Sequence, residues 1–130
     1  MRRIVKNSLT GRQPTWFQKM LNDLTSPSPG EVYWLELPSG HGHEQHGRRP
    51  VLIVTDARLG SLGLTWVVPL TTTSRGWPVH VKVHVAGRVT EAMCEQIRSV
   101  SVDRLGRLVG TVTHEELREI RALLREIIGN

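Results

Sequence analysis

The strictest alternation in the chain is residues 79–85, Val-His-Val-Lys-Val-His-Val, with valines on one face and His80, Lys82 and His84 on the other. A period of two marks a strand with one buried and one wet face. Residues 30–37 set Val32 and Trp34 against Tyr33, Leu35 and Leu37, and Pro38 ends that strand. Residues 51–54, Val-Leu-Ile-Val, form an unbroken apolar run that reads as a buried strand. Pro50 extends the backbone of Arg49 and removes a ladder donor, which suits a strand's first residue. A further strand is predicted over 65–71, where Pro69 points to an edge position or a bulge. Residues 91–102 carry Met93, Cys94, Ile97, Val100 and Val102 and read as one or two short strands. Residues 56–63, with two glycines, and 75–78, Arg-Gly-Trp-Pro, read as turns.

The period changes near the C-terminus. Thr113-His114-Glu115-Glu116 is a capping box, and Leu117, Ile120, Leu124 and Ile127/Ile128 then make one helical stripe that stops at Gly129. Many short strands with one terminal helix predict a mainly β, small barrel. Before residue 30, apolar residues at helical spacing follow Pro14-Thr15, so 16–24 suggests a short amphipathic helix. Thr25-Ser26-Pro27-Ser28-Pro29 reads as a stiff polar linker. Two units are therefore expected: an extension, 1–29, and a domain, 30–130.

Charge separates the same two units. The chain of 130 residues carries a net charge of +5. Residues 1–29 hold Arg2, Arg3, Lys6, Arg12 and Lys19 against Asp23 alone, so the rest of the chain keeps a net charge of only +1. Phosphate recognition by the domain must then be local, not spread over a basic surface. Cys94 is the only cysteine, which excludes an intrachain disulfide framework and a cysteine zinc site, and it reads as a small buried hydrophobe. Arg2-Arg3 precede no apolar leader, and no apolar run is long enough to span a bilayer, so a cytoplasmic location without membrane attachment is expected.

The residues 40–55 carry the chemistry. A glycine-rich polar loop runs to Arg48, and Arg49 stands at the mouth of the apolar strand, as a preorganised phosphate site requires. Gly42-His43-Glu44-Gln45, Gly47 and Arg49-Pro50-Val51-Leu52-Ile53-Val54-Thr55 resemble the signature of the MazF/PemK (Kid) family of toxin endoribonucleases. Val68-Pro69-Leu70-Thr71-Thr72-Thr73-Ser74-Arg75-Gly76-Trp77-Pro78 is similar to a second family segment. With the C-terminal third, the likeness covers roughly residues 30–130.

The resemblance implies a compact SH3-like (CcdB/PemK-type) barrel with a C-terminal α-helix, usually a homodimer. It implies a toxin endoribonuclease that cuts single-stranded RNA at a short sequence. The partner it implies is a cognate antitoxin whose acidic, flexible tail lies across the RNA site. Arg49 matches the family's catalytic arginine and Thr71 its catalytic threonine or serine. Glu44 and His43 match functional residues of two branches. An Arg-x-Asp pair of one branch aligns with Met93-Cys94-Glu95, without its arginine and with Glu95 for the aspartate. Glu44 is favoured as base or orienter, with His43 and Glu95 as further candidates. Contacts to RNA are expected from Arg48, Arg75, Trp77, His80, Lys82, Gln96 and Arg98.

Two other chemistries remain to be weighed. His41, His43, Glu44 and His46 are all zinc-ligand types, but the flanking glycines deny the helix that would put two histidines on one face. No metal and no cofactor are therefore expected. The same barrel also serves CcdB-type toxins, which bind DNA gyrase without catalysis, and the Arg49-Pro50 and Pro69-Leu70-Thr71 motifs favour the nuclease branch.

Overall fold

Strands that alternate and strands that are apolar throughout meet different surroundings in the folded chain. The computed structural model describes residues 16–17, 26–37, 42 and 47–129. Its strands are β1 (Glu31–Leu37), β2 (Gly47–Ile53), β3 (Leu64–Thr71), β4 (His80–Val85), β5 (Arg88–Met93), β6 (Arg98–Ser101) and β7 (Leu108–Thr111). The helices are α1 (Ala57–Gly60) and α2 (His114–Ile128), with single 3₁₀ turns at Cys94–Gln96 and Val102–Arg104. Pairing is antiparallel in the order β4-β5-β3-β2-β1-β7, and β6 pairs with β3.

The sheet curls until its two ends approach. A Cβ on Gly110 of β7 would lie 3.6 Å from the Ala86 amide in the β4–β5 turn. The result is mainly β, a curled half-barrel with a C-terminal helix, as the sequence predicts. Inside the curl, Val32, Leu52, Val68, Leu70 and the three valines of β4 pack with Leu117, Ile120 and Leu124 of α2. On the opposite face Leu35, Leu37, Val51, Ile53, Val67 and Val100 form a smaller cluster. β2 feeds both, which is why residues 51–53 are apolar without interruption. Each such side chain contributes about 1.5–3 kcal/mol by burial.

Several expectations need correction. Pro69 is not on an edge: it faces Val51 of β2, in the interior of the sheet. On the other side of β3 the neighbour changes from β6 at Val67 to β5 at Leu70, so Pro69 sits where no ladder partner is needed. The predicted turn over 56–63 contains α1, capped by the Asp56 side chain on the Arg58 amide. β7 was not predicted; it is four residues long, contains Gly110 and pairs with β1 across an irregular register. The helical stripe closes at Leu124, and Ile127 and Ile128 are exposed.

The linker 25–29 is in part docked. Pro27 is buried, the Ser28 amide donates to Glu31 Oε1 at 2.7 Å, and the Gly30 amide donates to the Ile53 carbonyl at 2.8 Å. Of the predicted N-terminal helix, Trp16 and Phe17 are helical with rings edge to face at 5.9 Å; residues 18–24 lie outside the described residues. Among the described residues no helix is long and apolar enough to cross a membrane.

Candidate active site

The register of four strands assembles the site. β2 and β3 pair Val51 with Pro69 at the end of their ladder, and just beyond it Arg49 and Thr71 line one cavity. β5 sets Glu91 against Thr71, and β4 sets Lys82 against Glu91. Directly opposed residues point the same way, so Thr71, Glu91 and Lys82 form a row across one face, on which alternation from Val51 also places Arg49, with neighbouring strands about 4.8 Å apart. It is the face of the smaller core, since Val51 and Val67 lie on it. Arg49 is held in the β1–β2 ladder opposite Leu35. The predicted pair, Arg49 and Thr71, is thus brought together.

Arg48 alternates to the other face, where its guanidinium lies 4.6 Å from the centre of the Trp34 ring. A cavity of about 250 Å³ opens there, bordered by Trp34, Arg48, Arg49, Thr71, Thr72 and Arg88. Arg49 and Thr71 therefore border both the cavity and the outer row.

Thr71 is a strand-end residue with a defined hydroxyl. Its Oγ1 accepts the Thr73 amide at 3.1 Å, which turns the chain out of β3. One lone pair is occupied, and among the described residues the O–H has no acceptor, so it can donate to a ligand.

His80 is the main surprise of the site. The alternation predicts a wet position, and this holds for the exposed Lys82 and His84 but fails for His80, whose side chain is only 2 % exposed. Its Nδ1 bonds Glu91 Oε1 at 2.9 Å and its Nε2 bonds Glu95 Oε2 at 3.0 Å. Two carboxylates facing one ring require two protons within the three-residue group. Glu91 also accepts the Ser74 hydroxyl at 2.6 Å and the Arg75 amide at 3.3 Å. The Ser74 hydroxyl first, then the His80 ring, hold the Glu91 carboxyl below the usual glutamate range. Glu95 is thereby engaged through one oxygen, and its Oε1 is buried without a partner.

The remaining RNA-contact candidates surround this group. The Trp77 ring lies 5.2 Å from His80 and takes the Arg75 guanidinium at 5.3 Å. Gln96 lies in the 3₁₀ turn that carries Glu95, and Arg98 pairs with Val67 on the same face as Thr71, about 13 Å along β3. His84 is tied to the helix: its amide and Nδ1 both bond Glu116 Oε2, at 2.9 and 3.0 Å. Burial pushes the Cys94 thiol up to about 12, with Glu95 and Glu119 adding to it, so Cys94 is a buried, protonated hydrophobe. His43 and Glu44, and with them His41 and His46 of the metal alternative, lie outside the described residues.

Glu91, Ser74 and Trp34 were not foreseen as site residues. The signal for Glu91 is the two-residue turn Ala86-Gly87, both with positive φ (50° and 76°), which starts β5 at Arg88 and fixes Lys82 opposite Glu91.

This arrangement was compared with known proteins. Residues 28–128 match the model of the PemK-like, MazF-like toxin of type II toxin–antitoxin systems. The chain belongs to that family. It is 31 % identical over 105 residues to the endoribonuclease toxin MazF of Escherichia coli K12, covering 79 % of this chain and 95 % of that protein. It is 28 % identical to the endoribonuclease PemK of Escherichia coli, covering 93 % and 99 %. Among solved structures, MazF of Deinococcus radiodurans superimposes with a TM-score of 0.73 at 28 % identity, over 81 % of this chain and 98 % of that one. A mycobacterial endoribonuclease in complex with its cognate antitoxin superimposes at 0.66 and 28 % identity, over 80 % and 96 %. Within this toxin family frame, the matched span takes in every candidate residue from Glu44 to Arg98.

Proposed function

We propose that this PemK/MazF-family protein is an endoribonuclease toxin that cleaves single-stranded RNA at a short sequence without a metal. The observation that carries the proposal is the cavity that Arg49 and Thr71 line together, in a chain of this family. The Arg49 guanidinium offers paired donors to a phosphate, fixed by the β1–β2 ladder, where charge develops in the transition state. The Thr71 hydroxyl, with one lone pair already held by Thr73, donates to a phosphate or leaving oxygen.

The nucleophile is the 2′-hydroxyl of the RNA. It loses its proton to a base and bonds to phosphorus, while the P–O5′ bond breaks and the departing oxygen takes a proton. Glu44, from the loop before β2, is the base or its orienter, and His43 is the alternative. Glu91 is not suited to that task, because a carboxylate held low by Ser74 and His80 is a weak base. Its part is to hold the 72–79 segment that leaves Thr71. Glu95 shares that structural part through His80. Unstacked bases then meet Arg48, Arg75, Trp77, Lys82, Gln96 and Arg98 around the row.

The protein acts in the cytoplasm as a homodimer. It is neutralised by an antitoxin with an acidic, flexible tail, which competes with RNA for the same cations. The test is digestion of a single-stranded RNA by the purified protein in excess EDTA. Fragments ending in a 2′,3′-cyclic phosphate, with free 5′-hydroxyls, are expected. Intact RNA would favour a CcdB-like toxin that acts on gyrase by binding.

A further inference from the structure

Helix α2 carries its charges in separate stripes. At 3.6 residues per turn, His114, Arg118, Arg121 and Arg125 fall within an arc of roughly 60°, while Glu115, Glu119 and Glu126 fall within a second arc of roughly 40°. Leu117, Ile120 and Leu124 face the core. Solvated helices commonly interleave opposite charges at i and i+4 to form pairs. Here Arg118, Arg121 and Arg125 make no ion pair with any described carboxylate. A groove of about 380 Å³ runs beside them, lined by His114, Leu117, Arg118, Arg121 and Arg125. No carboxylate lines it among the described residues. Arg121 is fixed in place, because its Nε and one terminal nitrogen donate to the Val54 carbonyl at 3.0 and 2.8 Å. Asp56, which feels the charge of Arg121, is engaged by the Arg58 guanidinium at 2.9 and 3.1 Å.

We infer that this groove is a second binding surface for the RNA phosphate backbone, separate from the cleaving row. Val54 follows the end of β2 remote from Arg49, about 17 Å along the strand, so one strand of RNA reaches both only if it extends well past the cut. The four basic positions rise over about 16 Å of helix, a length suited to tracking a single strand whose protein sites span roughly 4–16 nucleotides. Residues 1–25 hold five basic residues against one acidic, the wrong charge for an occupant of the groove. A protein partner would need an apolar anchor. The groove's one apolar lining residue, Leu117, is buried against the core. Phosphates need only cations. Naming RNA as the polyanion rests on the proposed nuclease function.

The test replaces Arg118 and Arg125, both exposed and without side-chain bonds among the described residues, in the double variant Arg118→Gln/Arg125→Gln. Arg121 stays because it caps Val54. Binding of a fluorescent, uncleavable 2′-O-methyl RNA is followed as salt is varied, with one RNA well above and one at the low end of the 4–16 nucleotide range. For the long RNA the slope of log affinity against log salt should flatten by about 0.7 per removed cation, roughly 1.4 in all. The short RNA should bind as before, and cut positions on ordinary RNA should not move. An unchanged slope on long RNA overturns the groove while leaving the nuclease reading intact. Loss of binding to a poly-glutamate peptide with RNA binding retained also overturns it, in favour of a protein partner. A flattened slope in a protein that leaves ordinary RNA intact supports the groove and sinks the nuclease.

Discussion

Replacing His80 by alanine should be the most damaging single change in the site, more damaging than its place on an alternating strand would suggest. The imidazole is 2 % exposed and makes one bond to Glu91 and one to Glu95. A hydrogen bond to a charged group contributes about 1.5–3 kcal/mol. Removing one partner of a buried hydrogen bond costs about 1–3 kcal/mol, and more where the group left behind is charged. Glu91 keeps the Ser74 hydroxyl and the Arg75 amide, whereas Glu95 loses its bond to the ring and already has one buried oxygen without a partner. A loss of about 3 kcal/mol is expected against a total of about 5–15 for a domain. For a chain of this size that lowers the melting temperature by roughly 10 °C. Thermal unfolding followed by circular dichroism measures it, with Lys82→Ala on the same strand as the exposed control. The loss should shrink as pH falls through the carboxylate range, where protonation neutralises the stranded Glu95. It should also shrink when Glu91→Gln and Glu95→Gln are added. A His80→Ala variant within about 0.5 kcal/mol of the parent, the scatter of surface substitutions, would refute the buried triad.

Arg49→Ala should lower cleavage by on the order of a hundredfold or more, the worth of a preorganised charge donor, with the fold intact. Arg48→Ala should cost less, since Arg48 packs on Trp34 from the other face, and equal losses on one RNA substrate would contradict the register argument. Gly60→Ala should destabilise by about 1–3 kcal/mol through overpacking, because its Cβ meets Ser26 at 2.8 Å; limited proteolysis should then cut within residues 26–29 before the core. Stability should fall on acidification below the ordinary glutamate range. Glu91 is held low by Ser74 and His80. Burial of Glu116 opposes ionisation but is outweighed by the Thr113 amide and the His84 ring and amide. Groups with depressed pKa stabilise above their unfolded values and lose that contribution as pH drops through the folded ones. Urea midpoints from pH 7 to pH 3 that stay flat would contradict it.

The elements with a clear period were legible in the sequence. Val81, Val83 and Val85 face the core, and Thr113 and Glu116 cap α2 as the capping box requires. Arg49 and Thr71 carry family motifs, and the ends of β2 and β3 bring them to one cavity. What escaped were features set by pairing and not by local pattern. Pro69 looks like an edge residue until β3 is seen to change neighbours beside it. His80 looks solvated because periodicity reports a face, whereas its burial comes from Glu91 and Glu95 on other segments. Glu91 lay hidden behind an unrecognised two-residue turn, and β7 is too short and glycine-broken to show a period.

The central claim is that the RNA supplies its own nucleophile beside Arg49 and Thr71. A single-stranded substrate with one 2′-deoxy sugar immediately 5′ to the scissile phosphate tests it most directly. The account predicts that this RNA binds with near-parental affinity, because a single hydroxyl is a small part of the contact, yet is not cut at that position in EDTA or in magnesium. The all-ribose substrate should be cut in both. Cleavage of the deoxy substrate at the modified position would mean that water or a metal-bound hydroxide is the nucleophile, and the account would be wrong.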